Sequence, residues 1–145
     1  MDVTPLTWIV ALAGLVLSAL LGSLQLIALL RPRAAWTVEN IYGGSPDTTD
    51  PKAYFAFNQG AALADPVFWL PLQIAGSLGM LAGATWGFLL ALIASVPFWY
   101  SAIWIYVWDR DMGFRKPTLA YWLIVWGMWP AFGVIEGAYC FARLL

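Results

Sequence analysis

The sequence predicts an all-α integral membrane protein, a bundle of four transmembrane helices with no β-sheet, and four observations support this prediction. Hydrophobic residues make up 62% of the 145 residues, charged residues make up only 10%, and the mean hydropathy is +0.76. The apolar residues form runs long enough to cross a bilayer as helices. We therefore expect one membrane domain over residues 1–145, with spans near 5–30, 62–82, 84–108 and 118–142.

The first span has a clear helix start at Thr4 and Pro5, a cap followed by proline at the first helical position. The uncharged run that follows to Leu30 is roughly 39 Å long as a helix. A signal peptide would have a basic start and a shorter apolar core, so we expect a retained span. Small residues on one face predict close approach of another helix, and Gln25 on that face either bonds across helices or contacts a ligand. The face consists of Gly14, Ser18, Gly22 and Gln25.

A polar connection follows Arg31 and Arg33, with a Gly/Ser/Pro/Asp cluster over residues 43–47 that is typical of turns. Asp50 and the proline after it resemble another capped helix start. The segment 51–64 is short and aromatic, and it has two interpretations. It is either an amphipathic helix in the membrane interface or the lower half of a long, kinked second span.

Asp65 precedes Pro66, and the sequence leaves two roles open for this acid. As an N-cap, Asp65 begins a span from Pro66 to about Ala82. As an acid inside a long helix, it lies beside a break where the carbonyl of Ala62 loses its partner. We favour the capping role because Xaa-Pro helix starts recur along the chain. In the other role, one helix face carries Asn58, Asp65, Trp69, Gln73 and Gly76.

The uncharged run from Pro66 to Trp108 must double back, because as one helix it would be roughly twice as long as the bilayer core is thick. We expect its turn at three glycines, Gly79, Gly83 and Gly87. The third span then contains Pro97, which frees the carbonyl of Ile93.

The last span contains an acid where acids are costly, Glu136. Pro130 frees the carbonyl of Trp126 in the same span. We expect the partner of Glu136 to come from another span or from a ligand, and the candidate partners are Ser23, Gln25, Asn58, Gln73 and Ser101. At about 100° per residue, one face of this helix carries Trp122, Trp126, Trp129, Gly133, Glu136 and Cys140.

The basic residues predict the orientation of the four spans. Only Arg143 falls on the side of the two termini. The positive-inside rule therefore places both termini outside and both charged loops in the cytoplasm of a plasma or inner membrane. The other side carries Arg31, Arg33, Lys52, Arg110, Arg115 and Lys116.

Composition excludes several classes of function. A net charge of −1 with no basic patch argues against nucleic acid as a partner. One cysteine and no histidine argue against a disulfide framework, the usual metal sites and a nucleophilic triad, so we expect no metal and no cofactor. Any catalysis would be acid–base chemistry by Asp65 and Glu136, and the sequence assigns no catalytic residue.

Several tryptophans are predicted well inside the membrane, where aromatic walls bind flat apolar molecules and cations. Packing in the core or against lipid is the alternative reading of these side chains. The first reading predicts a cavity between the second, third and fourth spans. Its candidate ligand-binding residues are Asp65, Trp69, Gln73, Tyr100, Trp104, Trp126, Trp129 and Glu136.

The last two spans carry a spaced pattern of aromatic residues, prolines and a glycine, made up of Tyr100, Trp104, Tyr106, Asp109, Gly113, Phe114, Pro117, Tyr121, Trp122, Trp126, Trp129 and Pro130. This pattern resembles the closing half of the EXPERA-type four-span domain, the group of sterol isomerases and the sigma-2 receptor. The resemblance covers roughly the last 45 residues. It implies an aromatic intramembrane cavity where acidic groups serve a sterol or a cationic amphiphile. The isomerases use a histidine, which this chain lacks, so the resemblance favours binding over isomerisation.

Three functions therefore fit the sequence, all with the lipid bilayer as a partner. The favoured one is binding, or transformation, of a lipophilic small molecule. A structural or accessory subunit of a membrane complex explains the glycine seam and the aromatic residues with few assumptions. A small proton-coupled transporter, acting as a homo-oligomer, would use the intramembrane acids.

Overall fold

The computed structural model describes residues 1–42, 51–111 and 118–145, and these residues contain helices and no β-strand. The predicted all-helical character is therefore confirmed for this part of the chain. Within it, four helices are long and apolar enough to cross a membrane, and we number them first to fourth in chain order: Pro5–Leu30, Lys52–Leu81, Thr85–Trp108 and Leu119–Leu144. A short helix, Ala35–Asn40, follows the first long helix.

Some sequence predictions fall outside the described residues. They are the turn cluster over 43–47, the cap at Asp50, and the loop and helix start that include Arg115, Lys116 and Pro117. Within the described residues, the observed helix bounds differ from the predicted spans mainly in the second long helix. That helix is much longer than the predicted span over 62–82.

The first long helix begins as its sequence predicts, with Thr4 as the cap and Pro5 in the first turn. The side chains of Thr4 and Thr7 form a reciprocal capping box. The Thr7 hydroxyl also lies 2.5 Å from the hydroxyl of Tyr139 in the fourth long helix. The capped end of the first helix is thereby joined to the end of the fourth.

The second long helix passes through Pro66 without a break, which overturns the favoured capping role of Asp65. Pro51–Ala64 is α-helical, Asp65–Trp69 forms a π-helical turn, and Leu70–Leu81 is α-helical again. Ala64, before Asp65, already has helical backbone angles, and Asp65 makes no capping bond. The segment 51–64 is therefore the first half of one long helix rather than a separate interfacial helix.

The fourth long helix contains the same kind of wide turn, Trp122–Met128. In each turn the N–H group just before a proline reaches back five residues: Leu70 bonds to Asp65 before Pro71, and Trp129 bonds to Ile124 before Pro130. A proline ring collides with the carbonyl four residues earlier in a regular α-helix. An extra residue in the preceding turn relieves that collision, so both helices continue past their prolines.

The turn between the second and third long helices depends on Gly83 alone, which corrects the prediction of a three-glycine turn. Gly83 has a φ of +67°, a conformation that favours glycine. Gly79 and Gly87 lie inside the two helices and let them touch. A Cβ added at Gly79 would lie 2.5 Å from the Cα of Gly87.

The third long helix packs against the second and the fourth, and the first packs against the second. The two termini and the Gly83 turn lie at one end of the bundle. There the Met1 ammonium donates to the Gly83 carbonyl (2.6 Å), and Arg143 donates to the Asp2 carbonyl (2.6 Å). The opposite end carries the short helix. This second end is where the cavity described below lies.

Candidate functional site

The bundle contains a cavity of about 260 Å³ in the half that faces the short helix. All four long helices contribute to its wall, including the first, for which the sequence offered ligand contact only as the alternative role of Gln25. The residues from the two earlier helices and the segment between them are Leu21, Leu24, Gln25, Asn40, Ile41, Tyr42, Phe57, Asn58, Ala61, Asp65 and Trp69. The later helices contribute Val96, Pro97, Tyr100, Ser101, Trp104, Ile105, Trp108, Tyr121, Ile124, Val125 and Trp129.

Aromatic rings form two groups on the cavity wall. Near the short helix, Phe57 stacks on Trp108 with ring centroids 4.1 Å apart. Phe57 also makes an edge contact with Trp104 at 5.1 Å. Deeper in the bundle, Trp69 lies 6.1 Å from Trp129. Offset and edge-on arrangements of this kind are the favourable ones for aromatic pairs.

Asp65 is the one acid on the described cavity wall, and it bonds to the first long helix. The Gln25 side-chain amide donates to Oδ2 of Asp65 at 2.6 Å. A carboxyl group offers about four acceptor positions, so this bond leaves most of them free for other donors. Asp65 is half-buried, and its position in the wide turn places it on the cavity wall.

Other polar side chains on the wall bond to nearby backbone. Asn58 donates to the Tyr54 carbonyl (2.9 Å), and Ser101 donates to the Phe98 carbonyl (3.3 Å). Tyr42 donates to the Ala28 carbonyl at 3.2 Å, and burial raises the pKa of its phenol above the ordinary value. The hydroxyl therefore stays in the neutral form that can donate. These bonds make Asp65 the wall group with the most spare capacity to accept.

Three backbone irregularities converge on this cavity. They are the wide turn Asp65–Trp69, Pro97 in the third long helix, and the wide turn Trp122–Met128. Each contributes wall residues. Wide turns of this type occur frequently at functional sites, because they turn side chains away from the regular helical direction.

A second polar site lies outside the cavity, in the core between the second and fourth long helices. The Gln73 amide donates to Oε1 of Glu136 at 2.6 Å, and both residues are 0% exposed. This confirms the prediction that the partner of Glu136 comes from another span. The other oxygens, Oε2 of Glu136 and Oε1 of Gln73, have no hydrogen-bond partner among the described residues.

The structure divides the eight predicted ligand-binding residues into three groups. Gln73 and Glu136 form the separate core site and do not line the cavity. Trp126 lies off the cavity and contacts the rings of Tyr106 and Trp122. The five residues on the cavity wall are Asp65, Trp69, Tyr100, Trp104 and Trp129.

The position of Trp126 follows from the wide turn in the fourth long helix. The predicted face assumed a regular advance of 100° per residue. The wide turn takes up an extra residue, so Tyr121 and Val125 are buried in place of Trp122 and Trp126. Trp122 is 51% exposed. The predicted face is therefore correct only from Trp129 onward.

Sequence reasoning overlooked several wall residues. Trp108 lies at the predicted end of the third span, where tryptophans are usually interfacial, and Phe57 lies in the segment interpreted as either interfacial or intramembrane. Tyr42 lies within the polar connection between the first two spans, whose path the sequence does not determine. Gln25 was not overlooked, because the sequence predicts two roles for this polar side chain in an apolar run, a bond across helices or a contact with a ligand.

The described residues contain no group of three or more histidine, cysteine or acidic side chains that could hold a metal ion. No protein-family model, curated protein or solved structure matches the chain. The resemblance of the last two long helices to the EXPERA group therefore stays a prediction.

Proposed function

We propose that this chain is an integral membrane protein that binds a small lipophilic molecule in the cavity between its four long helices. One observation carries the proposal: all four helices contribute to a single aromatic cavity, and Asp65 lies on its wall. A mostly apolar site with a few placed polar groups is typical of small-molecule binding. The aromatic faces supply contact area, and the Asp65 carboxyl supplies a fixed acceptor.

The length and hydropathy of the four helices support insertion into a bilayer, which gives the ligand its lipophilic character. Such a molecule reaches the site from the hydrocarbon phase. The resemblance to the EXPERA group points in the same direction. The transporter alternative gains less support, because Asp65 and Glu136 bond to different amides in different parts of the bundle.

Replacing each of two alanines by phenylalanine, in separate variants, tests whether the cavity is the binding site. Ala61 lines the cavity, whereas Ala64 is exposed on the same helix and does not line it. We expect Ala61→Phe to fill the cavity and to remove any small molecule that co-purifies in mild detergent. The matched variant Ala64→Phe should retain it. Native mass spectrometry and solvent extraction of both variants would measure the bound molecule.

The same experiment separates the alternatives. Equal retention by both variants would place the molecule elsewhere on the protein and reject the cavity. Co-purification of another protein with no small molecule would favour the accessory-subunit function. A stable homo-oligomer with no bound molecule would favour the transporter.

A further inference from the structure

The exposed side chains on the cavity wall all belong to the second and third long helices. Among the described wall residues they are Phe57 (37% exposed), Val96 (43%) and Tyr100 (58%). The wall residues from the first and fourth long helices are buried or half-buried. An exposed fraction of this size is expected where a wall residue also faces the surroundings of the bundle. These three residues therefore indicate an opening between the second and third long helices.

The second and third long helices contact each other on both sides of this stretch. On one side, the Trp69 indole donates to the Ala94 carbonyl at 2.7 Å. On the other side, Phe57 contacts the rings of Trp104 and Trp108. Phe57 and Trp69 are twelve residues apart in one helix, a separation of roughly 18 Å along its axis. The opening lies within this interval.

Two rows of wall residues border the interval, and in each row the residues are four apart, a spacing that places them on one side of a helix. The rows are Phe57, Ala61 and Asp65 in the second long helix, and Val96, Tyr100 and Trp104 in the third. The second row includes the turn around Pro97, where a helix bends most readily because proline has no N–H group. Ala61, in the first row, has only a small side chain. Both features favour a gap between the two rows.

Contacts cross other sides of the cavity. Between the first and second long helices, the Gln25 amide donates to Asp65 at 2.6 Å. Between the third and fourth, the rings of Tyr106 and Trp126 make an edge contact with centroids 5.8 Å apart. At the end of the bundle, the Thr118 hydroxyl donates to the last residue of the short helix at 3.4 Å. The gap between the second and third long helices is therefore the best route into the cavity.

With the bundle inserted in a bilayer as proposed, this opening lies near the middle of the membrane. Val96 lies halfway along the third long helix, which has 24 residues, and Tyr100 lies one turn further. A helix of that length is about 36 Å long, whereas the hydrocarbon core is about 30 Å thick. The middle of the helix is therefore surrounded by lipid chains rather than by water.

We infer that the cavity opens sideways to the bilayer between the second and third long helices, with Val96 and Tyr100 at the rim, and that its ligand enters from the hydrocarbon core through this opening. This inference rests on the proposed function and specifies the route by which the same site is filled. The ligand is then a molecule of the membrane interior, which needs no passage through water to reach the protein.

A phosphatidylcholine that carries a diazirine near the end of one acyl chain tests this route, because the reactive group stays in the hydrocarbon phase. The protein would be reconstituted into vesicles that contain this lipid and irradiated, and the labelled residues would be identified by mass spectrometry. We expect label on Tyr121 and Val125, which are buried but line the cavity. Ile103 is 60% exposed and does not line the cavity, so its label is the reference for direct contact with lipid.

Two matched phenylalanine variants locate the opening. Val96→Phe narrows the rim and should remove most of the label from Tyr121 and Val125. Leu24→Phe adds its ring to the wall in the first long helix, away from the rim, and should leave that label nearly unchanged. Both variants should keep the label on Ile103, which reports that the protein is folded and inserted.

The outcomes separate the route from the proposed function. Label on Ile103 without label on Tyr121 or Val125 would overturn the inference and leave the proposed function standing, with the ligand entering from the end of the bundle. Equal loss of label in the two phenylalanine variants would also overturn it, because cavity volume rather than the rim would then control labelling. The expected label in a protein from which no small molecule co-purifies would support the opening and reject the proposed function.

Discussion

At the scale of single residues, Glu136 joins two helices through a buried acid–amide contact. Gln73 donates to one carboxyl oxygen, and the second oxygen of each side chain is left without a described partner. A protonated carboxyl group has an O–H donor that suits the free amide oxygen of Gln73. We therefore treat Glu136 as a structural acid that an amide can replace.

Glu136→Gln should leave stability nearly unchanged, because two facing amides can each donate and accept. Glu136→Leu should destabilise the protein by about 1–3 kcal/mol, since the buried Gln73 amide loses its short bond to the carboxyl and keeps only a long one to Ser77 Oγ (3.4 Å). Melting temperatures of the purified variants in detergent would measure both effects. A Glu136→Gln variant as unstable as Glu136→Leu would contradict this role and show that the acid itself is required.

Gly14 in the first long helix packs directly against the contact between Gln73 and Glu136. A Cβ at Gly14 would lie 2.6 Å from Nε2 of Gln73 and 2.7 Å from Oγ of Ser77, so Gly14→Ala should force the helices apart and lower the melting temperature. Gly60→Ala is the matched control, because nothing lies within 4 Å of its added Cβ. It should be neutral or stabilising by up to about 1 kcal/mol, since alanine favours helix. Equal effects would indicate that the first helix does not pack closely here.

At the scale of helices, the two wide turns decide which side chains reach the cavity. Both lie directly before a proline and both contribute wall residues. In the fourth long helix the turn moves Tyr121 inward and leaves Trp122 outside. The prolines therefore determine which side chains line the cavity, because the wide turn before each proline changes the direction in which the side chains of that turn point.

Pro130→Ala tests this account of register. Alanine restores the N–H group and removes the ring, so the segment before it can return to a regular α-helix and rotate by about 100°. In a Cys140→Ala background, Trp122→Cys should react with a maleimide much faster than Tyr121→Cys. Adding Pro130→Ala should reduce or reverse that contrast. An unchanged contrast would mean that packing, rather than the proline, maintains the wide turn.

At the scale of the whole molecule, charge separates the two ends of the bundle. The termini and the Gly83 turn meet at one end, where Arg143 is the only basic side chain among the residues that the structure describes. Arg31, Arg33 and Arg110 belong to the other end. The positive-inside rule predicts that this second end, which is also the cavity end, faces the cytoplasm.

Impermeant maleimide labelling of intact cells tests the orientation, again in the Cys140→Ala background. Leu145→Cys lies at the exposed C-terminus and should label from outside. Glu39→Cys lies in the short helix at the other end and should label only after the cells are opened. The reverse pattern would show that the protein is inserted the other way.

By itself the sequence determined the features that depend on composition and local chemistry. Long apolar runs predict four spanning helices, Thr4 and Pro5 begin the first helix, and Gly14 indicates a face for close packing. These features follow from helix length, capping and side-chain size. Each can be read from residues that lie close together in the chain.

Only the tertiary structure decided which polar groups meet and which aromatic residues line the cavity. The sequence favoured Asp65 as a cap, whereas the structure makes it an acid inside a continuous helix, because the backbone before Pro66 is already helical. Glu136 had several candidate partners, and helix packing selects Gln73. Trp126 does not line the cavity, because the extra residue in the wide turn Trp122–Met128 changes which side chains of that segment face inward. Local patterns do not contain these outcomes, because each depends on how a neighbouring helix accommodates a proline or a buried polar group.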